Sequence, residues 1–165
     1  MGREYVNRHN RSYSQKRLAA LSVMESEEDR IACAILACNY SRIHGDTPPT
    51  QSLIQMDCVA ACFVEGDIWV ASNSMKLESQ DIDNAIGADY HGTSVYIVTN
   101  GYGTMHAEMQ LVEELTRAGK LTKVSYIGVS KPCCNYCRRI LDVYQIGYLH
   151  FHRVPVRNWE APVLW

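Results

Sequence analysis

Two stretches of this chain, MHAEMQL at residues 105–111 and SKPCCNYC at residues 130–137, constrain its fold more than anything else in it. Each attaches side chains that bind metals or move protons to the start of a helical pattern. His106 and Glu108 flank the small Ala107, and Leu111, Val112 and Leu115 follow at the spacing of a buried helical stripe. Pro132 suits a helix start, and Cys134 and Cys137 stand at i and i+3, on one face of a first turn. Residues 124–129, VSYIGV, lie between the two and read as a buried strand. Helix, strand and helix in that order argue for a layered α/β sheet.

The rest of the chain fits that frame. Residues 15–44 carry a helical pattern with an acidic break at residues 25–30, and Gly45 ends it. The stretch GDTPPTQS at residues 45–52 is a loop. Two apolar runs, residues 58–64 and 68–71, are joined by Glu65-Gly66-Asp67 and predict a hairpin, so the sheet must be mixed. A short helix is expected over residues 81–88 and a strand over 94–99. A helix then runs to Ala118 and stops at Gly119, and another runs from Cys134 to Ile146 and stops at Gly147. Residues 148–154 alternate as a last strand. In this chain of 165 residues, residues 1–14 form a loose basic segment and residues 15–165 form one domain, long enough for a sizeable core.

The bulk numbers exclude several classes. A composition 47% hydrophobic and 21% charged is that of an ordinary globular protein, and a net charge of −2 gives no global field that draws nucleic acid or membrane. No apolar run reaches the roughly 18 residues that suggest a membrane span. The N-terminus lacks the apolar middle of a secretory signal, which leaves a cytoplasmic protein or one exported without a cleaved signal. Locally, Arg3, Arg8, Arg11, Lys16 and Arg17 are interleaved with Tyr5 and Tyr13, which makes either a phosphate-binding arm or a solvated tail. Seven cysteines, an odd number with three of them inside five residues, fit reduced thiols around a metal better than a disulfide framework. Cys33, Cys38, Cys58 and Cys62 fall in apolar runs and read as small buried hydrophobes.

One imidazole and two thiolates are donors that zinc accepts, and three protein ligands leave a fourth place for water, as in catalytic sites. Zinc lowers the pKa of such a water to about 7. Glu108 can then take a proton and deliver it to a substrate nitrogen. His106 and Glu108 would point apart in the middle of a helix but can share a pocket at its entry, which Gly101 and Gly103 leave open. Cys133 with Cys137, at i and i+4, is the alternative chelating pair to Cys134 with Cys137.

HAE followed by KPCCNYC resembles the zinc-dependent nucleobase and nucleoside deaminase superfamily, whose signature is H-x-E…P-C-x-x-C. The resemblance covers the organisation of residues 31–154 and implies a three-layer α/β/α sandwich. It also implies His106, Cys134 and Cys137 on zinc, with Glu108 as the proton shuttle. The sequence departs from the pattern at Cys133, which intervenes between Pro132 and Cys134. Either Cys133 occupies the usual proline place, or it is itself a ligand. The doubled cysteine and the terminal NWEAP look closest to divergent bacterial toxin and effector-type deaminases. That likeness implies conversion of cytosine to uracil in DNA, single- or double-stranded, and a dedicated inhibitor protein as partner. A free cytidine or nucleotide deaminase is the alternative, favoured by the near-neutral charge. An inactive, zinc-stabilised binding module is the second alternative.

Further candidate substrate contacts lie around these motifs. The resemblance places Asn73, at the end of the second hairpin strand, against substrate, while its own residue type suits a turn cap equally well. Tyr102 either stacks on a base or packs as an ordinary tyrosine. Ala107, Ser130 and Lys131 are placed to orient a base. His91 reads as a loop histidine, His150 and His152 as one face of the last strand, and Trp159 and Trp165 as packing over the sheet.

Overall fold

A computed structural model describes residues 3–5, 26–45, 58–73, 76–99, 105–153, 156 and 158–164. Its elements are β1 (Arg3–Tyr5), α1 (Glu27–His44), β2 (Val59–Val64), β3 (Asp67–Ser72), α2 (Ser79–Ile86), β4 (Val95–Val98), α3 (Ala107–Arg117), a 3-10 turn (Leu121–Lys123), β5 (Gly128–Val129) and α4 (Asn135–Val143). The strands form one sheet in the order β1-β4-β3-β2-β5. β3 and β4 run parallel and every other neighbouring pair is antiparallel, so the sheet is mixed, as the hairpin required.

The hairpin turns at Glu65 and Gly66, both with positive φ (50° and 86°), the tight two-residue geometry whose twist matches that of its strands. Because side chains alternate along a strand, each strand feeds two cores. Cys58, Ala60 and Cys62 with Trp69 and Ala71 face one side, where α3 and α4 supply Met109, Leu111, Leu115, Cys137 and Leu141. Val59 and Ala61 with Ile68 and Val70 face the other, where α1 and α2 supply Ile31, Ile35, Ile82 and Ile86. The result is an α/β/α sandwich whose sheet is buried on both faces. At its β5 edge α1 approaches so closely that a Cβ on Gly128 would lie 2.1 Å from the Glu28 backbone, so only glycine fits there.

Several expectations need correction. Arg3–Tyr5, read as part of a loose segment, is an edge strand paired with β4. Residues 124–129 supply only two residues of strand. Just before them Tyr126 makes only an isolated parallel bridge to Gly147, in which Ile127 N–H donates to Gly147 O and Gly147 N–H to Ser125 O. α4 ends at Val143, with Gln145 in the left-handed region at φ 56°, rather than at Gly147. The last strand reduces, among the described residues, to one parallel bridge between Cys133 and Phe151. Cys133 holds that bridge through both backbone groups, its N–H donating to His150 O and its carbonyl accepting from His152 N–H. Residues 6–25, most of the 45–52 loop, Gly101, Tyr102, Gly103, Val154 and Trp165 lie outside the described residues. No helix among the described residues is long and apolar enough to cross a membrane.

Candidate metal centre and active site

Both motifs act at helix starts. His106 is the N-cap of α3, extended at φ −61° and ψ 149°, and its ring makes no capping bond. Being outside the helix, it escapes the helical rotation that would turn it away from Glu108, two positions on. Cys134 is the N-cap of α4, and its Sγ accepts the Cys137 backbone N–H at 3.3 Å. Gln110 braces the entry to α3, its buried amide donating to Ser72 O at 2.7 Å and Met105 O at 2.9 Å.

The donor atoms of His106, Cys134 and Cys137 lie within 4.8 Å of one another, and His106 Nδ1 is 3.4 Å from Cys137 Sγ. Tetrahedral zinc with ordinary bond lengths, about 2.0 Å to nitrogen and 2.3 Å to sulfur, would hold such atoms about 3.5 Å apart. One imidazole nitrogen and two sulfurs at that spacing therefore fit zinc. Among the described residues this is the one cluster of at least three such donors, and it offers three potential protein ligands.

The charges suit the same use. The Cys134 thiol is held down to about 4, chiefly by the hydrogen bond from the Cys137 thiol and then by those from His106 and the Cys137 N–H. The Cys137 thiol is pushed up by sharing that proton with Cys134 and by burial. The bond to Cys134 raises the His106 imidazole. Glu108 is buried, and burial raises its carboxyl above the ordinary value, against a hydrogen bond from its own backbone N–H and the charge of His106. It is a buried carboxyl standing beside three potential ligands.

The structure settles which thiols converge. Cys134 and Cys137 join His106, whereas Cys133 turns its thiol to the Glu108 carboxylate. Cys133 is fixed by its backbone, its N–H donating to His150 O at 3.0 Å and its carbonyl accepting from His152 N–H at 2.9 Å. All seven cysteines are free thiols. Cys38, Cys58 and Cys62 are buried as expected, and Cys33 is half-buried. Cys58, between Glu108 and Lys131, has its thiol pushed up to about 12 by burial.

The further candidates divide. Asn73 serves the strand end, its Oδ1 accepting from Cys58 N–H at 2.8 Å and its own N–H donating to Cys58 O at 3.1 Å. Ser130 Oγ accepts from Val59 N–H at 2.9 Å. Lys131, half-buried, lies near enough to His106 and Cys58 to bias their charge, and Ala107 is fully buried beside the first ligand. His91 is an exposed turn residue. Sequence reasoning missed two contacts: the Cys133 thiol on Glu108, and Trp159, whose Nε1–H donates to Cys137 Sγ at 3.3 Å. Nothing in the spacing of NWEAP signals the second. Trp159 also stacks on Tyr136, ring centroids 5.3 Å apart.

An α/β/α sandwich with His106, Cys134 and Cys137 brought together at two helix starts and a buried glutamate beside them has the residue arrangement of the H-x-E…P-C-x-x-C signature. Residues 105–163 match the sequence model of the OTT_1508_deam-like deaminase family, which belongs to the cytidine deaminase-like superfamily. The match spans about a third of the chain and contains the whole triad, Glu108 and Trp159. No curated protein and no solved structure matches the chain.

Proposed function

We propose that this chain is a zinc-dependent hydrolytic deaminase that converts cytosine to uracil in nucleic acid. The observation that carries the reading is the convergence of His106, Cys134 and Cys137 with the buried, proton-poised Glu108. His106, Cys134 and Cys137 would hold zinc, which supplies Lewis-acid activation of water. Glu108 takes a proton at its carboxylate oxygen and delivers it to the ring nitrogen next to the amine-bearing carbon. A second transfer from Glu108 lets the amine leave as ammonia, so that one water is consumed for each C–N bond broken. Cys133 holds the carboxylate by a hydrogen bond while it carries the proton. Burial of the site excludes bulk solvent that would otherwise level these pKa values.

The choice of nucleic acid is supported by the rim of the site. Tyr136 is 43% exposed and stacks on Trp159, Arg138 lies 4.4 Å over the Phe151 ring, and Arg139 and Arg153 are exposed. Aromatic faces stack bases at about 1–3 kcal/mol each, and arginines follow phosphates. The basic, tyrosine-bearing N-terminal run adds to this. The doubled cysteine and NWEAP favour an effector-type role. The net charge of −2 favours the second reading, a free nucleoside or nucleotide as substrate.

The test is incubation of the zinc-loaded protein with single-stranded DNA, duplex DNA, RNA and cytidine in parallel, with uracil and ammonia measured. Uracil in a polynucleotide, formed more slowly as salt rises, is the expected result. Product from cytidine alone would replace this reading with the second. No product from any substrate with zinc bound would identify a binding module.

A further inference from the structure

Residues 158–164 have no regular secondary structure, yet two bonds tie them to the two helices that bear the triad. Val163 N–H donates at 2.8 Å to Oε2 of Glu113, a buried carboxylate on α3. Trp159 Nε1–H donates to Cys137 Sγ on α4 at 3.3 Å. The Trp159 ring is held in turn by Tyr136, stacked at an interplanar angle of 28°. The segment is thus a strap joining the helix that starts at His106 to the helix that starts at Cys134.

An indole has one donor, and it usually goes to a carbonyl oxygen or to water. A neutral thiol is a weak acceptor, whereas a thiolate is a strong, charge-assisted one. Spending the only donor of a half-buried tryptophan on Cys137 Sγ fixes where that sulfur points. Metal ligands commonly rely on such outer partners to fix their orientation.

We infer that Trp159 is a positioning residue of the metal centre: its indole N–H orients the Cys137 sulfur, and the strap that carries it couples α3 to α4. This rests on the reading of the triad as a zinc site.

The test is the zinc affinity of the full chain by chelator competition, with the visible spectrum of the cobalt-substituted protein as second readout. Trp159→Phe keeps a stacking ring and removes the donor. It should bind zinc about 10- to 100-fold more weakly and shift the thiolate-to-cobalt charge-transfer band, while the metal-free melting temperature stays close to that of the parent. Tyr136→Leu, which leaves the donor in place, should hold zinc within about threefold of the parent. An unchanged affinity and spectrum in Trp159→Phe would overturn the inference, and so would equal losses in both variants, since packing would then explain them. If Trp159→Phe does not fold, proton NMR of the cobalt-loaded parent decides. An exchangeable indole resonance displaced far from its ordinary position supports the inference, and one at its ordinary position overturns it. A parent chain that takes up neither metal would remove the zinc reading itself.

Discussion

On one side of the sheet the helices begin with residues that serve the helix. Ser26 caps α1, its Oγ accepting from Asp29 N–H at 3.2 Å, and Asp29 returns a bond to Ser26 N–H at 3.3 Å. Glu78 N–H at the head of α2 bonds to Asp81 at 2.9 Å, and Asp81 also receives Asn39 and Arg42 from α1. On the other side the same positions serve the site: the N-cap of α3 is His106 with no capping bond, and that of α4 is Cys134. A good cap contributes about 1 kcal/mol over a poor one, so α3 gives up local stability to place His106 at a positively polarised helix end, while the sulfur that caps α4 is also one of the three converging donors. The difference teaches where to look for chemistry in a sandwich of this kind: where the residue at a helix start is a metal-binding type rather than an ordinary cap.

The comparison can be broken by substitution, and the largest effect belongs to the site. Glu108→Gln should lower turnover about 10²- to 10⁴-fold, with zinc stoichiometry by metal analysis unchanged. Next comes the structural layer. Asp81→Ala leaves the buried Asn39 amide and the Arg42 guanidinium without their carboxylate, and should cost about 2–3 kcal/mol in urea unfolding. Its activity per folded molecule should match the parent. Ser26→Ala removes a cap and should cost about 1 kcal/mol in the same experiment, again without loss of turnover. The smallest effect has the opposite sign. His106→Asp puts a better cap on α3 and should stabilise the metal-free protein by about 0.5 kcal/mol while abolishing stoichiometric zinc binding. A loss of metal-free stability in that variant would mean that His106 supports the fold and not only the site.

Much of this was readable in the residues, for physical reasons that differ from place to place. The hairpin followed from Glu65-Gly66-Asp67, because a two-residue turn with positive φ needs such residues. The stop of the helix after Ala118 followed from Gly119, which has φ 68°. The triad followed from donor chemistry and from the helix-start signals around it, whereas the choice between Cys133 and Cys134 stayed open until the structure brought Cys134 to His106 and Cys137. What was hidden depends on bonds between distant segments. The alternation in residues 148–154 is real, but among the described residues it yields only the Cys133–Phe151 bridge, a pairing that depends on a distant segment. The strand at Arg3–Tyr5 lies in a polar stretch and exists because β4 offers it an edge. Trp159 reaches Cys137 from 22 residues away, through a tail with no periodicity to betray it.

The central claim is that His106, Cys134 and Cys137 form a metal centre with one position left for solvent. X-ray absorption at the zinc edge of the loaded protein tests it most directly. The account predicts two sulfur and one imidazole nitrogen neighbours plus one oxygen that exchanges with added small ligands. Three sulfurs, or four protein atoms closing the ion, would contradict it.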